Sequence, residues 1–134
     1  MSDIPFEEPP HRIRVRYCET DRMGVAHHGS YVAWFEEART EWLRKRGKCY
    51  RQMEDEGDLL QIVEFEARYQ RPLDFDDEIL IRVRVSERSK VSVVLDYEVR
   101  RADTNEVTTV GRTKLVCVGT DGKMRRLPKE IAQP

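Results

Sequence analysis

Between Tyr17 and Tyr31 the chain reads YCETDRMGVAHHGSY. Two carboxylates, Glu19 and Asp21, precede Gly24 and the adjacent His27 and His28, and a segment of helical spacing begins directly afterwards. A helix start leaves N–H groups without intrahelical acceptors, and the macrodipole adds to the positive potential there. A carbonyl oxygen held at that point is stabilised as it becomes an oxyanion, and one such donor is worth roughly 10²–10³ in rate. A carboxylate on the other side of the carbonyl could attack it or deprotonate a water, the latter typically adding ~10²–10⁴. Together these are the parts for hydrolysing an activated ester. The competing role for Asp21 is a cap or turn residue whose carboxylate accepts a backbone N–H. Spacing leaves both open.

Other chemistries fit the stretch less well. Adjacent histidines seldom face one point, and the HExxH and HxE…CxxC patterns are missing, so no metal ligands are assigned. A phosphate-cradling loop needs more glycines and a GK[ST] ending. A serine triad needs a nucleophile elbow such as GxSxG. Cys18 lies nearby, but nothing around it matches a cysteine hydrolase.

The elements that must position these residues show in the periodicity. Ile13, Val15 and Tyr17 alternate with arginines, which predicts a strand over 12–17. Tyr31, Trp34, Phe35, Ala38 and Trp42 recur at steps of three or four, which predicts a helix from Ser30 to Arg46 with Ser30 as N-cap and Gly47 as the stop. The aromatic residues on that stripe read as core. A short helix or turn is expected over 49–57. Four long strands follow over 60–70, 78–86, 91–100 and 107–118, separated by turn signals, with a short helix from Pro128 at the end. Short connectors favour an antiparallel meander. One amphipathic helix covers one face of such a sheet, which curls around it. The open sheet edges predict a dimer with a continued sheet.

The totals agree with one domain of ordinary size: 134 residues, of which 39% are apolar. Residues 1–11 read as a flexible arm and 12–134 as the domain. The 37% of charged residues balance to a net charge of -1, a solvated surface and not a nucleic-acid-binding one. Three cysteines without CxxC spacing read as reduced thiols, the acidic, proline-rich start does not read as a signal peptide, and no run of ~20 apolar residues occurs. A cytoplasmic protein without membrane insertion is expected.

The order Tyr17-x-Glu19-Thr20-Asp21-x-x-Gly24-Val25-x-x-His28-x-x-Tyr31, followed by Trp34-Phe35-Glu36-x-Ala38-Arg39, resembles the hotdog-fold acyl-CoA thioesterases. The 4-hydroxybenzoyl-CoA and Tol-Pal-associated types are the nearest. The resemblance runs from about Arg12 to the final strand and includes 64-EFEARYQRPLDFDDEILIRVRV-85. It implies an α+β hotdog fold, in which a five-stranded antiparallel sheet wraps one long central helix. It also implies dimers, commonly paired into homotetramers, with active sites at the subunit boundary. The expected substrate is an acyl-CoA or aroyl-CoA, cleaved to the acid and coenzyme A without metal or other cofactor.

By the same resemblance Asp21 is the catalytic carboxylate, as nucleophile or as base. Gly24 shapes the loop, and the His28 N–H polarises the thioester carbonyl, with its imidazole as a possible aid. Tyr31 matches a motif aromatic with a substrate-binding role, although core packing is favoured for it. Arg88, Ser89 and Lys90 match a strand-to-strand turn that binds the phosphates of coenzyme A. Two positions depart from the family pattern: Glu19 stands where relatives have Asp, and His27 where they often have Tyr or Trp. The rival readings are a dehydratase on the same fold and an acyl-CoA-binding module without turnover.

Overall fold

Helical spacing of the apolar residues after Ser30 becomes one buried stripe of Tyr31, Trp34, Phe35, Ala38, Trp42 and Leu43. These lie on α1, which spans His28–Lys45. The computed structural model describes residues 4–134. Before α1 come β1 (His11–Arg14) and a short 3₁₀ turn at Tyr17–Glu19. After it come α2 (Tyr50–Asp55), β2 (Leu59–Tyr69), β3 (Glu78–Arg88), β4 (Ser92–Arg101), β5 (Val107–Val118) and α3 (Lys129–Ala132). The helix starts two residues earlier than its apolar spacing predicts. His27 is its N-cap, not Ser30, whose hydroxyl instead turns back to the Glu19 carbonyl at 2.9 Å.

All five strands form one antiparallel sheet in the order β1-β3-β4-β5-β2. The expected meander holds for β3, β4 and β5 alone. β2 does not sit beside β3; it lies at the far edge and pairs with β5 from Leu59 to Tyr69. The connection 70–77 carries the chain across the end of the sheet, so β1 can occupy the other flank of β3.

The sheet wraps α1, and Phe35 is the clearest witness. Its ring stacks on Tyr97 of β4 at 4.3 Å between centroids and lies 5.5 Å from Phe65 of β2. A Cβ at Gly111 of β5 would come within 2.3 Å of the same ring. Glycine there lets helix and sheet approach, and a larger residue would have to displace a fully buried aromatic. Arg39 is buried on the same stripe and donates to the Tyr50 and Tyr97 hydroxyls at 2.9 and 3.1 Å. Those bonds offset much of the cost of desolvating its charge.

On the opposite face of the sheet the alternating charges of the strands pair. Asp96 accepts from Arg84 at 3.1 Å and from Arg112 at 2.9 Å, and Glu98 accepts from Arg100 at 2.6 Å. The described part of the N-terminal arm lies along β3. Glu7 N–H donates to the Val83 carbonyl, and Phe6 sits under the Arg84 guanidinium.

Candidate active site

Glycine and two carboxylates set the shape of the loop between β1 and α1. Gly24 has φ +80°, a left-handed conformation that costs an L-residue roughly 1–2 kcal/mol. It closes a tight turn in which Gly24 N–H donates to the Asp21 carbonyl at 3.0 Å and Asp21 N–H to the Val25 carbonyl at 2.9 Å. The Asp21 carboxylate accepts the Met23 N–H on Oδ1 at 2.8 Å. It therefore does hold the turn. It is also exposed and lines a cleft, and only Oδ1 is engaged by the turn. The turn contact orients the carboxylate without enclosing it.

Glu19, two residues earlier, is a different kind of carboxylate. It is 8% exposed. Oε1 accepts the Arg16 N–H at 2.7 Å and Oε2 accepts the Trp34 indole N–H at 2.8 Å. Its own carbonyl accepts the His27 N–H at 3.0 Å and the Ser30 hydroxyl at 2.9 Å. One residue thus joins the loop to the N-cap, the first turn and the second turn of α1.

The cleft has a volume of about 360 Å³ and brings Asp21, His27, His28 and Tyr31 together with Tyr69, Arg71 and Pro72 from the end of β2 and the turn beyond it. His28 is exposed as the first residue of α1. The N–H groups of His28 and Gly29 belong to the first turn, where helix geometry provides no intrahelical acceptor. His27 folds its ring back over Gly29, and its Nε2 lies 3.2 Å from the Ser30 hydroxyl. Tyr31 is 2% exposed and packs edge-on against Trp34 and Tyr69. Burial pushes its phenol above the ordinary value, so it stays protonated at neutral pH.

Among the expected substrate-binding residues, the turn of Arg88, Ser89 and Lys90 is not brought to this cleft within one chain. It lies at the far end of β3, a strand roughly 30 Å long at ~3.3 Å per residue, and none of the three residues lines the cleft. Arg88 donates to the carbonyls of Ile131 and Gln133 at 2.9 and 3.3 Å. Burial and the neighbouring Arg46 charge lower its pKa. The Ser89 hydroxyl accepts the N–H groups of Val91 and Ser92 and so holds its own turn. Lys90 is exposed, and its side chain has no hydrogen-bond or ion-pair partner among the described residues.

Sequence reasoning missed Tyr69 and the structural use of Glu19. Tyr69 is half-exposed, with its hydroxyl 3.5 Å from the His28 carbonyl, and its strand alternation carries no sign that the end of β2 meets the front of α1. Glu19 had a usable signal: an acid fifteen residues before a tryptophan whose indole needs an acceptor when buried.

Comparison with known proteins points one way. Residues 23–108 match the family model described as Thioesterase superfamily. A putative esterase of Aquifex aeolicus (strain VF5) is 32% identical over 92% of this chain and 94% of its own. The acyl-CoA thioester hydrolase YbgC of Escherichia coli O6:H1 is 32% identical over 89% of each chain. The crystal structure of a DHNA-CoA thioesterase from Staphylococcus aureus superposes with a TM-score of 0.84 at 33% identity, covering 87% of this chain and 78% of that one.

Proposed function

This chain belongs to the Thioesterase superfamily, and we infer from it that the protein hydrolyses an acyl-CoA or aroyl-CoA thioester to the free acid and coenzyme A. Asp21 is the reacting carboxylate in this reading. The observation that carries it is the meeting of an exposed, oriented carboxylate with the open N-terminus of α1 in one cleft. The thioester oxygen sits against the first-turn N–H groups of His28 and Gly29, which stabilise it as negative charge develops. Asp21 either attacks the carbonyl carbon or takes a proton from the attacking water. In the first route the carbon–sulfur bond breaks, the thiolate of coenzyme A leaves, and water then hydrolyses the acyl–Asp21 anhydride to the free acid; in the second, water adds to the carbonyl and the thiolate leaves directly. Gly24 keeps the carboxylate at the turn, and Tyr31 and Tyr69 form an aromatic wall of the cleft.

The working unit is a dimer. β2 is an eleven-residue edge strand with Val63 51% and Tyr69 50% exposed. An edge so long and apolar seeks a partner strand. A second copy paired along it would cover the cleft and exclude water. The opposite face of the sheet carries the ion pairs of Asp96 and Glu98. No helix among the described residues is long and apolar enough to cross a membrane, and the three cysteines are free thiols. We place the protein in the cytoplasm on that thiol chemistry.

The test is thiol release, followed with a chromogenic disulfide, from short, long and aromatic CoA thioesters. Wild-type protein that releases no thiol from any of them overturns the hydrolase reading. Asp21→Asn at the wild-type rate overturns the role of Asp21 alone.

A further inference from the structure

We propose that Glu19 is a positioning residue of the hydrolytic site, acting through the loop and the helix start that it joins. The inference rests on the hydrolase reading above and extends it to a side chain that touches no substrate. A carboxylate this buried is costly unless its oxygens are matched by donors. Here one donor is the main chain of Arg16, at the base of the loop, and the other is the indole of Trp34, on the second turn of α1. The Arg16 guanidinium lies further out, at 3.5 Å from Oε2.

The backbone of Glu19 repeats the connection. Its carbonyl receives the His27 N–H and the Ser30 hydroxyl, which flank the two proposed oxyanion donors. Asp21 follows only two residues later. The separation between the Asp21 carboxylate and the His28 and Gly29 N–H groups is therefore set through Glu19. Misplacing reacting groups by about 1 Å can cost on the order of 10² in rate. Ground-state binding of the CoA ester, made over a much larger surface, changes far less.

The prediction is a split between kcat and KM. Glu19→Ala is expected to lower kcat at least ~30-fold with KM within ~3-fold of wild type. Glu19→Asp retains a carboxylate for one of the two donors and recovers at least a third of that loss on a logarithmic scale. Trp34→Phe keeps the aromatic ring and removes only the indole donor; it is expected to lower kcat ~5-fold. Because both changes break one connection, Glu19→Ala combined with Trp34→Phe costs no more than Glu19→Ala alone.

Rates are taken per folded molecule, with folding followed by circular dichroism. Glu19→Ala and Trp34→Phe both within 2-fold of the wild-type kcat overturn the proposal. So does a double variant whose losses simply multiply. If Glu19→Ala does not fold, the Trp34→Phe kcat decides: unchanged turnover overturns the proposal, and a kcat loss at constant KM supports it. These outcomes are read against an active wild type, so they leave the hydrolase reading untouched. A wild type with no turnover on any CoA ester overturns both.

Discussion

The two ends of α1 are built to opposite purposes. At the back, Arg46 donates to the carbonyls of Glu130 and Gln133 at 3.2 and 3.1 Å and to Glu7 at 3.1 Å. Arg88 covers Ile131 and Gln133, and the Trp42 indole takes Glu7 as well. Here the N-terminal arm, the helix end, a strand end and the C-terminal segment bond to one another, with the buried Arg46 Nε left without a hydrogen-bond partner among the described residues. At the front, the chain leaves a carboxylate exposed in a cleft that His28, the first residue of α1, also lines. Polar groups satisfied within the fold have nothing left for a ligand, whereas those left open at fixed positions can bind and stabilise one. In the basic turn at the back, the side chains of Arg88 and Ser89 are engaged within the fold and, among the described residues, that of Lys90 alone is not.

The largest expected effect lies at the front. Asp21→Asn is predicted to lower kcat by at least ~10², the scale of a lost nucleophile or general base. Its melting temperature should stay within a few degrees of wild type, since the amide oxygen still accepts the Met23 N–H. A variant that melts early and turns over normally when folded would erase the contrast between the ends. Turnover should be insensitive to EDTA, because the chemistry assigned here runs on Asp21 and backbone N–H groups. A loss on chelation that zinc restores would reassign His27 and His28 as ligands.

Arg46→Ala is the mirror experiment. Removing donors from the Glu130 and Gln133 carbonyls and from part-buried Glu7 is predicted to cost about 2–3 kcal/mol of stability by urea denaturation. Turnover per folded molecule should change less than 2-fold. A tenfold fall in kcat at full folding would mean that the two ends are coupled.

How much of this was legible in the sequence depended on range. The α1 stripe and the alternation of β3 and β4 are local patterns, and they appear almost as written. The position of β2 beside β5 is not local: nothing in Leu59–Tyr69 says which neighbour it takes, and the turn at Pro72 suits either. The same limit applies at the site. Asp21, Gly24 and His28 are close in sequence and were readable together. Tyr69 joins them only because the chain crosses the sheet. Ser30 looked like a cap from its type alone, but the helix starts earlier because the Glu19 carbonyl draws both the His27 N–H and the Ser30 hydroxyl.

Gly24 offers a smaller and sharper test of the front. No atom lies within 4 Å of where its Cβ would be, so a substitution there acts through backbone conformation alone. Gly24→Ala is predicted to cost roughly 1–2 kcal/mol. Gly24→Asn should cost less, because asparagine tolerates the left-handed region. If kcat falls in the same order as stability, the turn and the position of Asp21 are one feature. Equal kcat in all three proteins would separate them.

The smallest effect concerns Lys90, and it tests whether the back end of one chain serves the front end of another. Within its own chain Lys90 follows the far end of β3 and does not line the cleft. A contribution from it requires a second copy whose turn reaches the nucleotide end of coenzyme A. An exposed lysine–phosphate contact is worth at most about 1 kcal/mol, so Lys90→Ala should raise KM ~2–5-fold and leave kcat in place. The wild-type KM should rise with salt while that of the variant stays flatter, since the contact is screened. A thioester of phosphopantetheine, which lacks the nucleotide, should show equal KM for both proteins. If Lys90→Ala raises KM for that truncated ester as much as for the full one, the lysine does not meet the nucleotide phosphates. The closed back end of α1 would then have no part in the site of either chain.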